Sequence, residues 1–224
     1  MLSPSPGQRR MSMTHTKQSD KPFIKLKAGL HLQPFLDKLK AKPILWDEIT
    51  ARQDSTASAH HDTECIYARG PYKFTPYYVT YDLGAYDYPV LEYLNDEMAD
   101  LMMPLLKEMY VSELGRVLIV KLKPGGHVDA HTDQGAYADH FSRFHIVIQT
   151  NEGCSQTCGN AYEEFEVGDV WWFDHKQKHT ALNKGTEDRV HIIFDAITPL
   201  FKAEGVPVSL DNKDRVKQNE VNDD

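Results

Sequence analysis

Two short stretches hold most of the side chains able to do chemistry. Residues 127–133 read HVDAHTD, and residues 175–189 read HKQKHTALNKGTEDR. On an extended strand residues i and i+2 point to the same side, so His131 and Asp133 present an imidazole and a carboxylate together. A second histidine must come from elsewhere, and His179 begins a later strand-like stretch. Two histidines and one carboxylate on one side of a metal leave the opposite positions open, which suits non-haem Fe(II) that activates dioxygen. His127 and Asp129 share the same spacing, and His175 competes with His179 in the same way. Spacing alone does not choose among them, and H-x-D by itself is a short motif that often arises by chance.

Charge adds a second clue. Arg189 lies ten residues after His179, at the edge of the apolar run VHIIFDA. An arginine beside a buried strand is costly unless it meets an anion, and its planar fork matches a carboxylate at two points. Arg143 and His145 flank Phe144 and so share one face of another strand. Each could be a surface charge or a structural ion pair. Taken with the H-x-D motif and a later histidine, convergence of these donors on one anion is the better reading.

These residues need a scaffold, and the apolar pattern supplies one. Leu30, Leu32, Phe35, Leu36 and Leu39 space as a short helix with Pro34 near its start. Leu91, Leu94, Met98, Leu101, Met102, Leu105 and Met109 predict an amphipathic helix, with a kink near Pro104. Residues 51–63 read as a polar loop, and 71–89, dense in tyrosine and proline, as extended segments and turns. These two segments could border a substrate groove. After Gly115 the period switches to two. RVLIVKL, HVDAH, FHIVIQT, YEEFEVG, DVWWFD, KHTALN and RVHIIFDAIT read as short strands parted by Gly, Asn or Asp turns. The expected fold is therefore mainly β with flanking helices, a β-sandwich or jelly roll. Trp171, Trp172 and Phe173 are expected in its core.

The chain has 224 residues, 41% of them apolar or aromatic, enough for one domain with tails. Residues 1–20 read as a disordered tail and 201–224 as a polar one. Between them, 21–115 is expected to be helical and irregular and 116–198 to be the jelly-roll core. The formal net charge of -8 argues against a nucleic-acid partner. No apolar run is long enough to span a membrane, and no secretory signal is evident at the start. Three cysteines do not make a disulfide scaffold, and a reducing cytoplasm is the expected setting. Cys154 and Cys158 read as small residues of a loop.

The run PGGHVDAHTD, then RFHIVIQTNEGC, then FEVGDVWWFDHKQKHTALNKGTEDRVHIIFDA resembles the aspartyl/asparaginyl β-hydroxylase family. That family belongs to the Fe(II)- and 2-oxoglutarate-dependent oxygenases of the double-stranded β-helix (jelly-roll, cupin-like) fold. The resemblance covers roughly residues 117–197. It implies that His131, Asp133 and His179 hold Fe(II) and that Arg189 binds the distal carboxylate of the cosubstrate 2-oxoglutarate. Arg143 and His145 would add cosubstrate contacts. Some members have glycine where this chain has Asp133, whereas others, free-proline hydroxylases among them, keep H-x-D. The implied partners are dioxygen and an amino acid, peptide or protein to be hydroxylated. Two other readings are a cupin-like metal enzyme that does not use 2-oxoglutarate and a jelly roll that only binds a ligand or protein. Neither explains the joint presence of His131, Asp133, His179 and Arg189.

Overall fold

A computed structural model describes residues 21–54 and 58–199, so both expected tails lie outside the described residues. The chain begins with β1 (Phe23–Lys27), α1 (Gln33–Ala41), a 3-10 turn (Pro43–Trp46) and β2 (Thr63–Gly70). Next come α2 (Pro76–Thr80), β3 (Tyr86–Asp87) and α3 (Val90–Glu108). The β-rich half follows as β4 (Glu113–Leu122), β5 (His127–His131), α4 (Ala136–His140), β6 (Ser142–Gln149) and β7 (Cys154–Cys158). It ends with β8 (Ala161–Glu163), β9 (Val170–Phe173), β10 (His179–Asn183) and β11 (Arg189–Ile197). Two antiparallel sheets result, a seven-stranded one ordered β1-β9-β6-β11-β4-β2-β3 and a four-stranded one ordered β5-β10-β7-β8. This is the double-stranded β-helix arrangement, mostly β with few helices.

Alternation along the central strands divides the labour of the large sheet. Phe144, Ile146, Ile148, Ile192 and Phe194 share one core with Leu94, Met98, Met102 and Leu105 of α3. Leu94 and Phe144 are fully buried, and side chains of this kind each contribute about 1.5–3 kcal/mol on burial. The alternate residues of the same strands, including Arg143, His145, Arg189 and Ile193, line the space between the sheets. The four consecutive buried residues of β9 serve both sides, with Val170 and Trp172 in the helical core and Trp171 and Phe173 in a second cluster.

Several elements differ from the sequence expectation. The section read as helical and irregular also supplies β1 and β2, which extend the large sheet at both sides of its centre. Phe23 and Leu26 of FIKLK are buried, and TECIYARG is buried at six of its eight positions, as a strand covered on both faces is. Cys154 and Cys158 lie on β7, not in a loop, and both are buried free thiols. The tyrosine-rich stretch includes the five-residue helix α2, because Pro76 in its first turn fixes a helical φ without costing a hydrogen bond. Helix α1 starts later than its apolar pattern, with Pro34 in its first turn, and α3 runs unbroken through Pro104. No helix among the described residues is long and apolar enough to cross a membrane.

Candidate metal centre

Strand β5 leaves β4 through a tight turn in which Gly125 has φ +79°, a conformation costly for any other residue. Its pairing with β10 then slips by one residue. Ala181 faces Val128, yet His179 faces His131, so a bulge sits between Val128 and His131. The extra residue reverses the alternation. Val128 and His131 both line the cavity between the sheets, while His127 and Asp129 stay exposed. The bulge therefore decides between the two H-x-D pairs.

His131, Asp133 and His179 each place a ligand atom within 4.8 Å of the others. The rings of His131 and His179 are 4.2 Å apart between centroids. The Nδ1 of His131 is 2.7 Å from the carbonyl of Asp129, and the Nδ1 of His179 is 2.9 Å from that of Gln177. Both carbonyls call for a proton on Nδ1, which leaves each Nε2 as a bare lone pair. The Nε2 of His131 is buried and has no hydrogen-bond partner among the described residues, with Asp133 Oδ1 standing 3.5 Å away. Burial pushes His179 down to about 4, although Asp133 and the Gln177 carbonyl oppose the shift, so this imidazole is neutral near pH 7. Two imidazole nitrogens beside a carboxylate are a fitting donor set for a divalent metal.

Asp133 is held on several sides. Its N–H donates to the carbonyl of His175 at 3.1 Å. Arg143 donates to its Oδ2 and grips Asp195 with two further bonds of 2.8 and 3.1 Å. Burial alone would raise the Asp133 carboxyl, but Arg143 and His131 outweigh it and hold it well below the usual carboxylate range. Burial likewise opposes the charge of Arg143, and Asp195 and Asp133 more than offset that. The structure thus engages Arg143 with two carboxylates of its own chain. His175 is not among the three that converge. Its Nε2 bonds the carbonyl of Ala138 at 2.9 Å, and its backbone steadies Asp133.

Arg189 stands deeper in the same cavity. It is 7% exposed and bonds the neutral side chain of Gln156 on β7 at 2.9 Å. Among the described residues no carboxylate lies within ion-pair distance of it, and burial pushes it down to about 10. His145 pairs with His191 through their Nδ1 atoms, 3.1 Å apart. Burial, then the nearby Arg189, drives both far below the usual histidine value. Two neutral rings in such contact need one Nδ1 to donate and the other to accept. Val128, Phe173 and Ile193 supply apolar wall between these polar groups.

Two features were not evident from spacing. His60, on the loop before β2, sets its ring edge-on to His131 at 4.6 Å, and burial keeps it neutral. His191 sits beside His145 because β6 and β11 pair in the large sheet, a register no local motif reports. Beyond His60 a wider groove of about 640 Å³ opens, bordered by residues of the 51–60 and 71–80 segments together with Asp133 and Arg143. Gly135 turns the chain away from Asp133 with φ +93°, packed against the backbone of Thr80.

Comparison with known proteins bears on the family and the fold. Residues 75–199 match the family model for aspartyl/asparaginyl beta-hydroxylase, more than half of the chain. An L-proline cis-4-hydroxylase of Rhizobium meliloti (strain 1021) is 28% identical over 91 residues, which cover 41% of this chain and 31% of that relative's length. A 2OG-Fe(II) oxygenase family oxidoreductase from Burkholderia pseudomallei superposes with a TM-score of 0.54 at 12% identity. That match covers 78% of this chain and 84% of the other, and it speaks for the fold alone.

Proposed function

The chain belongs to the aspartyl/asparaginyl β-hydroxylase family, and from that footing we propose that it is an Fe(II)- and 2-oxoglutarate-dependent dioxygenase. Its reaction is hydroxylation of a C–H bond in an amino-acid side chain, free or within a peptide or protein. One observation carries this reading. The two histidines of a partly buried two-histidine, one-carboxylate cluster share their cavity with Arg189, a buried cation that has no carboxylate partner among the described residues. A cupin-like enzyme without a keto-acid cosubstrate would have no use for that cation, since an uncompensated buried charge is costly.

His131, Asp133 and His179 would hold the iron, on the side left free by their Nε2 and carboxylate atoms. When bound, Fe(II) with 2-oxoglutarate and dioxygen supplies the oxidising power for C–H hydroxylation, with succinate and carbon dioxide as coproducts. Arg189 would bind the far carboxylate of 2-oxoglutarate with its planar fork. Arg143 keeps Asp133 ionised and oriented, anchored in turn on Asp195. His145 stays neutral and offers a ring nitrogen, its Nε2 being buried without a partner among the described residues. It would serve as a further cosubstrate contact. Val128, Phe173 and Ile193 exclude bulk water from the metal end of the cavity. The groove past His60 would admit the substrate. The proline hydroxylase relative makes a free amino acid one candidate, and an aspartyl or asparaginyl residue is the other.

The test is oxygen-dependent conversion of 2-oxoglutarate to succinate by the purified, Fe(II)-loaded protein. Succinate formation that needs both Fe(II) and dioxygen is expected. Its absence in folded, iron-loaded protein, even with candidate amino acids and peptides present, would overturn the reading.

A further inference from the structure

The arginines of the described chain are unevenly satisfied. Arg69 pairs with Asp87. Arg116 donates to the carbonyls of Val79, Tyr78 and Asp82 and lies over the ring of Tyr137. Arg143 is gripped by Asp133 and Asp195. Arg189 has its place in the cosubstrate pocket. Arg52 remains. Its side chain is half-buried, and the contact it makes is a weak one, Nη1 to the sulfur of Cys65 at 3.9 Å. Among the described residues no carboxylate lies within ion-pair distance of it. The nearby Asp54 is exposed and accepts a 2.6 Å hydrogen bond from Thr50 instead.

The place of Arg52 is as telling as its lack of a partner. It lines the inner cavity together with His131, His179 and Arg189. It also lines the outer groove together with Asp133 and Arg143. It therefore stands where the metal end of the cavity meets the space open to substrate. Charge points the same way. Four arginines line the two spaces, Arg52, Arg116, Arg143 and Arg189, and the carboxylates beside them, Asp133 and Asp195, both pair with Arg143. Arg116 is held by backbone carbonyls and Arg189 has its place with the cosubstrate, which leaves the charge of Arg52 uncompensated. A divalent metal and a dianionic cosubstrate would cancel one another and leave that charge in place. One further carboxylate would balance it, and a guanidinium in a half-buried setting binds a carboxylate strongly.

We propose that the substrate carries a carboxylate and that Arg52 binds it at the junction of cavity and groove. This rests on the dioxygenase reading above. The carboxylate has two possible sources, the α-carboxylate of a free amino acid or the side chain of an aspartyl residue in a peptide. The groove, at about 640 Å³, has room for either.

The experiment measures succinate formation by the full chain with Fe(II), 2-oxoglutarate and dioxygen. The probes are the common L-amino acids, each as free acid and as α-carboxamide, together with N-acetylated aspartyl and asparaginyl peptide amides. At least one carboxylate-bearing probe is expected to stimulate turnover, and its amide counterpart to lose at least about 30-fold in kcat/KM. Stimulation by a free acid assigns the α-carboxylate, and stimulation by an aspartyl peptide amide assigns the side chain. Arg52→Gln is expected to raise KM for that probe by a similar factor, with kcat within a few-fold. The visible chelate band of Fe(II) with 2-oxoglutarate should be kept. Arg52→Lys should restore part of the affinity. Equal use of acid and amide, or turnover with the asparaginyl peptide alone, overturns the proposal. So does an unchanged KM in Arg52→Gln, or no stimulation by any probe while the chelate band forms. Loss of the band in Arg52→Gln and Arg52→Lys alike would place Arg52 with the cosubstrate or the fold and also overturn it. A wild-type protein that never forms the band fails the dioxygenase reading itself.

Discussion

Arg143 and Arg189 are both cations of the large sheet facing the same cavity, yet only Arg143 has carboxylates beside it. On the proposed reading Arg143 is therefore a positioning residue for Asp133, while Arg189 is the one that would bind the cosubstrate carboxylate. Truncating one partner of a buried, hydrogen-bonded charge pair costs about 2–5 kcal/mol. Arg189→Ala should accordingly weaken 2-oxoglutarate binding by roughly 30- to 4,000-fold. Iron affinity should change little, because Arg189 touches none of the three metal-side residues in the contacts described. Measuring both constants by titration checks this, and concurrent loss of iron would make Arg189 structural. The sequence made Arg189 conspicuous, since a charge abutting VHIIFDA stands out. It could not reveal that Arg143 is occupied, because Asp195 lies across a strand pair whose register only the folded sheet defines.

At the level of elements, the decisive feature is the bulge in β5. Simple alternation puts His127, Asp129 and His131 on one face, and the spacing argument could not separate them. The inserted residue turns His131 inward and leaves His127 and Asp129 outside with His61 and Asp62. His127→Ala should thus leave Fe(II) affinity within about twofold, as surface changes usually do, while His131→Ala should abolish specific binding. Iron titration of the two variants decides the matter, and the reverse pattern would put the metal on the outer cluster. The period-two signal made the later strands legible, from β4 through β11. Strand β7 escaped notice because CSQTC has few β-branched or aromatic residues. Strands β1 and β2 escaped notice because FIKLK is short and TECIYARG, buried at most positions, has no polar–apolar alternation, and both lie among helices and polar loops.

The molecule as a whole separates stability from chemistry. Helix α3 packs on the outer face of the large sheet, and the polar site occupies the inner face. Leu94→Ala, at a fully buried position, should cost about 2–5 kcal/mol of stability and leave iron affinity unchanged. Denaturant melts with parallel metal titrations would show it. The buried imidazoles set the pH behaviour of the metal-free protein. Burial holds His145 and His191 well below the ordinary histidine value, so the fold keeps them neutral. Their contribution is complete above the unfolded value of about 6.5. As pH falls below it, the unfolded chain takes up protons the fold refuses, and stability declines toward the lowered folded values. The loss is at most about 1.4 kcal/mol per histidine for each pH unit in that window. Urea melts at pH 7.5 and 5.5 should show it, and equal stability would mean that these rings are protonated in the fold. Both sheets of the jelly roll and the helical outer layer were readable from the pattern, whereas the division into an apolar and a polar face became visible only with the strand pairing.

The most direct measurement is an anaerobic titration of Fe(II) with 2-oxoglutarate, following the weak visible charge-transfer band of the chelate. Wild type and His179→Ala are run side by side. A band that grows in wild type and is missing from the variant is the expected result, since His179 Nε2 is one of the three donors proposed for the iron. No band in folded, reconstituted wild-type protein, or an equal band in His179→Ala, would contradict the assignment of His131, Asp133 and His179 as the iron site.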